Sequence, residues 1–60
     1  MIYEITNNMY QNVKIIIDKH NSVSIEPRSS IQVDIDSINE HIEDLKRSGN
    51  IKYKKIINNK

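Results

Sequence analysis

The sequence predicts an α+β fold: a small, mostly antiparallel sheet of about five short strands, in the order β-β-β-β-α-β, with one short helix. Three observations carry this. Apolar residues alternate with polar ones in four separate runs, the strand period. One later stretch changes to the helical spacing, with Ile38, Ile42 and Leu45 at i, i+4 and i+7. Turn and stop residues stand at the junctions, among them the single proline and the single glycine.

Ile2 to Thr6 reads as a first strand, ended by Asn7-Asn8, because paired asparagines bond nearby backbone and tolerate the left-handed region. Val13 to Asp18 is the strongest strand pattern. Val13, Ile15 and Ile17 share one face, and Ile16 makes the other face partly apolar, so a strand that is central or covered on both sides is expected. Lys19-His20-Asn21 forms a loop into Ser22 to Glu26, where Val23 and Ile25 point one way. Glu26-Pro27-Arg28-Ser29 fits a four-residue turn with proline at its second position. From Ser30 to Asp36 the alternation puts Ile31, Val33 and Ile35 inward and leaves one wet face.

Ser37 and Glu40 have the spacing of a capping box, which predicts a helix opening at Ser37. Its acids lie early and Lys46 and Arg47 lie late, as the helix dipole favours. Gly49 marks the stop. Ile51, Tyr53 and Ile56-Ile57 suggest a closing strand, and Asn58-Asn59-Lys60 are expected to fray.

Sixty residues build one small domain, residues 1–60, with room for one core. Of 22 apolar residues 13 are isoleucine, and no cysteine is present to form a disulfide or a thiolate metal site. So short a chain gains stability from its own copies or from a partner surface, and an oligomer or subunit is expected. Net charge is +1, but it is unevenly spread. Residues 34–44 hold five acids without Lys or Arg, and residues 46–60 hold six basic residues without an acid. No apolar run approaches a membrane span, and Met1 leads into a strand pattern without a signal-peptide layout. These features predict a protein made in a cytoplasm and without membrane contact.

Chemistry-bearing groups are few and scattered. His20 and His41 have no metal-ligand spacing, so ordinary surface or boundary positions are expected for both. Asp34, Asp36, Glu40, Glu43 and Asp44 lack a calcium-loop pattern, and they suit capping and a solvated face. None of the six serines has a nucleophile-elbow context, and one glycine cannot build a phosphate-cradling loop. The residues therefore predict no catalytic, cofactor or metal site, and no enzyme.

The stretches N-x-x-x-Q-N-V-K-I-I-I (Asn7 to Ile17), S-V-S-I-E-P-R-S-S-I-Q-V (Ser22 to Val33) and I-x-x-L-K-R-S-G-N-I-K-Y (Ile42 to Tyr53) resemble very short bacteriophage virion-associated structural proteins. In those, an asparagine/glutamine-rich start leads into V-x-I-x-P-x-x-S-x-x-V and closes on L-x-x-x-G-x-I/L. The resemblance implies a capsid decoration or auxiliary protein, a head-fibre protein or a head–tail adaptor. Its partners would be other virion proteins and its own copies, and its place the virion. Docking would use sheet faces or edges, with Tyr10, Ile16, Tyr53 and Ile56 exposed on a lone chain and covered in the assembly. The alternative is a small nucleic-acid-binding regulator whose basic closing strand contacts phosphates through Lys52, Lys54 and Lys55. The helix, Ser-Gly-Asn and basic strand also resemble part of a winged-helix DNA reader, although that fold has three helices and this pattern supports one.

Overall fold

A computed structural model describes residues 1–56. The strands are β1 (Ile2–Asn7), β2 (Val13–Ile16), β3 (Ser22–Ile25), β4 (Ser30–Asp34) and β5 (Ile51–Ile56), and the helix is α1 (Glu40–Arg47). The fold is α+β with every strand pair antiparallel. The strands divide into two sheets: β4-β1-β5, with β1 central, and the β2-β3 hairpin. Ile57 and the three residues expected to fray lie outside the described residues.

The predicted inward faces are present. Ile5, Val13, Ile15, Ile25, Ile42 and Ile51 are the buried apolar side chains, contributed by both sheets and the helix. Val23, Ile31, Val33, Ile35, Leu45 and Tyr53 are half-buried and pack against them. The helix touches β2 and β5, so it closes the space between the sheets. No helix among the described residues is long and apolar enough to cross a membrane.

Two expectations are corrected. The strand at Val13 is neither central nor covered on both sides. It has one strand neighbour, β3, and Ile16 on its outer face is 43% exposed. The helix opens two residues later than the Ser37/Glu40 box predicts. Asn39 is the N-cap, its Oδ1 accepting the Ile42 N–H at 2.9 Å. Asn39 wins because the same amide also ties the helix start to the end of β2, with Nδ2 donating to Ile16 O at 2.8 Å and Ile17 O at 3.1 Å. A serine has no N–H pair for that.

The helix end is as expected. Gly49 has φ +84°, its N–H donates to Lys46 O, and the Asn50 N–H donates to Leu45 O, which together form a Schellman motif.

Candidate functional site

The β1–β2 loop and the Glu26–Ser29 turn meet around Asn7, the one fully buried polar side chain among the described residues. Asn7 Nδ2 donates to Gln11 O at 2.8 Å, Ile25 O at 3.0 Å and Glu26 O at 3.1 Å, and its Oδ1 accepts the Met9 N–H at 2.7 Å. Its backbone N–H donates to Ser29 O at 2.8 Å. The carbonyls that leave β3 are therefore taken by Asn7, and Ser29 is handed to β1. This is why β3 and β4 do not pair across their short connection. The sequence marks Asn7 as a turn residue; its burial follows from the strand facing alternately inward, with Ile5 and Asn7 on the same side as Tyr3.

The turn itself is formed, with the Ser29 N–H donating to Glu26 O at 3.1 Å. Its third position, Arg28, has φ +59°, the left-handed backbone that glycine usually supplies. Three contacts hold it there. Arg28 N–H donates to Met9 O at 3.2 Å, Nη1 donates to Asn8 O at 3.0 Å, and the guanidinium lies 5.3 Å from the centre of the Tyr10 ring. Tyr10 is 84% exposed, so loop and turn present an aromatic–cation pair to solvent on a pinned backbone.

The other residues singled out as interface candidates lie elsewhere. Ile16 is exposed on β2. Ile56 is half-buried opposite Ile2, on the outer face of the three-stranded sheet. Tyr53 is on the inner face and half-buried: its hydroxyl donates to Glu43 Oε2 at 2.9 Å and its ring meets Tyr3 edge-on, centroids 6.1 Å apart. Burial and the Glu43 carboxylate push its phenol pKa above the ordinary 10.0. The four do not gather into one patch.

The lysines of the nucleic-acid alternative are divided by the pleat. Lys52 and Lys54 stand opposite Thr6 and Glu4 on the outer face, while Lys55 stands opposite Tyr3 on the inner face. Lys54 Nζ is 3.6 Å from Glu4 Oε1, and the aromatic of this strand, Tyr53, faces the other way. The outer face reads in rows: Ser30, Thr6, Lys52; then Gln32, Glu4, Lys54; then Asp34, Ile2, Ile56. A depression of about 340 Å³ lies over its polar end, beside Thr6, Ser30 and Lys52. Thr6 Oγ1 and Ser30 Oγ share a hydrogen bond of 2.7 Å there.

Asp18, His41, Asp34 and Asp44 are each engaged with backbone or a neighbouring charge. Asp18 Oδ1 accepts the N–H groups of His20 (2.8 Å) and Asn21 (2.9 Å), and the Asn21 side chain also donates to it. The Asn21 amide and then the His20 N–H hold its carboxyl below the usual carboxylate range. His41 Nε2 is 3.3 Å from Lys14 O. Asp44 pairs with Arg47 at 3.0 Å, and Asp34 pairs with the N-terminal amine at 2.9 Å. Among the described residues no three His, Asp or Glu side chains gather as a metal-holding group. The chain matches no protein-family model, no curated protein and no solved structure.

Proposed function

We propose that the chain is a non-enzymatic structural and interaction module, a minor bacteriophage virion component. It docks on capsid, connector or tail proteins and assembles in multiple copies. The observation that carries this reading is the division of labour among side chains. Asn7, Asp18, Asn39, His41 and Glu43 each hold backbone or another side chain, whereas Tyr10, Ile16 and the open strand edges face solvent. Groups so engaged build a scaffold; exposed aromatic and aliphatic side chains, and separately the unpaired strand edges, suit adhesion to other proteins. The distribution of Lys52, Lys54 and Lys55 over two faces speaks against a phosphate-tracking strand.

The reading is tested by locating the protein and by weighing it. Antibody labelling or mass spectrometry of purified particles is expected to find it in the virion, and sedimentation is expected to show association at micromolar concentration. A stable monomer at that concentration, absent from particles, would sink the reading. So would salt-sensitive retardation of nucleic acid that Lys52→Ala and Lys54→Ala abolish.

A further inference from the structure

The two sheets leave strand edges of unequal character. The outer edge of β2 is covered: Asn39 Nδ2 donates to Ile16 O and His41 Nε2 approaches Lys14 O, so the helix occupies the carbonyls that point away from β3. The outer edge of β5 is guarded by charge. The Asn8 N–H donates to Asn50 O in the β1–β5 register, which turns the backbone of Lys52 and Lys54 toward β1 and that of Ile51, Tyr53 and Lys55 outward. Two copies of β5 pairing about Tyr53 would set Lys52 directly against Lys54 of the other copy, a repulsive pair.

β3 turns only Ser22 and Ser24 away from β2, whereas β4 turns three residues outward and has neither cover nor guard. Asn7 N–H donates to Ser29 O and Ile35 N–H to Met1 O, both in the β1–β4 register. Ile31 and Val33 therefore turn their backbone toward β1, while Ser30, Gln32 and Asp34 turn their N–H and C=O groups away from it. Among the described residues those groups have no partner, and the strand holds no lysine and no proline.

We propose that the free edge of β4 is a self-docking edge, which pairs antiparallel with β4 of a second copy about a twofold axis at Gln32. This rests on the reading that the chain assembles from its own copies, and it names the contact. The register follows from the backbone. Only centring on Gln32 lets all three outward residues of both strands bond: Gln32 with Gln32, and Ser30 with Asp34, of the second copy. In this register no like charges are opposed, and each Asp34 carboxylate faces a serine hydroxyl. On the inner face the half-buried Ile31 meets Val33 of the second copy as a non-hydrogen-bonded pair, the closer kind. The product is one continuous sheet, β5-β1-β4-β4-β1-β5, closed by symmetry and not open-ended.

Sedimentation equilibrium of the full chain and three variants, with circular dichroism as the check on folding, tests this. Gln32→Pro removes an N–H that no residue of the same copy uses, and Gln32→Lys puts two ammonium groups face to face at the axis. Both are expected to stay folded and to weaken dimerisation about tenfold or more. Ser30→Lys sets a cation opposite Asp34 of the second copy and is expected to keep or tighten the dimer. Slowed amide exchange at Ser30, Gln32 and Asp34 in the wild-type dimer, lost on dilution, is the direct signature. Association untouched by both Gln32 variants would overturn the edge while leaving self-assembly standing. A wild-type chain that stays monomeric at every concentration would overturn both.

Discussion

Asn7 and Asn39 each use one side-chain amide to join segments far apart in the chain. Asn7 Nδ2 has two hydrogens for three carbonyls at 2.8–3.1 Å, so at least one hydrogen is shared, and Oδ1 covers Met9 N–H as well. Replacing it by alanine strands these backbone groups, at about 1–3 kcal/mol for each one left buried. A domain of this size has a total stability of about 3–5 kcal/mol. Asn7→Ala is therefore expected to unfold most of the chain, and Asn7→Asp, which aims a charge at the same carbonyls, to do no better. Far-ultraviolet circular dichroism with urea titration checks both. Asn39 allows its capping and its tethering to be separated. Asn39→Ser retains a capping oxygen but not the donors to Ile16 O and Ile17 O, and is expected to cost about 1 kcal/mol. Asn39→Ala loses both and is expected to cost about twice that, read as the difference in urea midpoints.

Among the elements, the helix is held by the Asn39 side chain at its start and by the left-handed Gly49 at its end, more than by propensity. Eight residues are too few to be stable alone in water. Its stop depends on Gly49 at φ +84°, where a Cβ would meet nothing within 4 Å. Gly49→Ala is therefore expected to cost about 1–2 kcal/mol through backbone strain alone, and Gly49→Asn less. A thermal or urea melt of the two variants separates strain from packing, since a packing defect would penalise asparagine more. The Glu26–Ser29 turn follows the opposite course. It accepts a left-handed Arg28 and offsets the strain with the hydrogen bond to Asn8 O and the Tyr10 contact.

For the molecule entire, two groups make stability depend on pH. Tyr53 has a raised pKa in the fold, so the unfolded chain ionises first as pH climbs; its contribution is complete below 10.0 and is lost as pH rises through the folded value. Asp18 has a lowered pKa, so its contribution is present above 3.8 and is lost as pH falls through the folded value. Stability measured across pH is expected to fall at both ends, and Tyr53→Phe to flatten the alkaline fall. A wild-type curve level above pH 10.0 would contradict this.

Element order, the inward faces of the strands, the turn at Pro27 and the stop at Gly49 are all legible in the chain of letters, because they depend on periods and backbone preferences within a few residues. That β1 is central, that β2 stands beside the helix, and that Asn39 displaces Ser37 as the cap are not. Those outcomes rest on partners distant in the chain: Asn39 prevails through carbonyls at Ile16 and Ile17, and Asn7 through carbonyls at Ile25 and Glu26. The distribution of Lys52, Lys54 and Lys55 over two faces is readable from alternation, but the partners opposite them are not, since register is a property of paired strands. Which backbone groups remain without a partner, and so which edge of this small sheet is open to another chain, emerges only when the strands are set side by side in three dimensions.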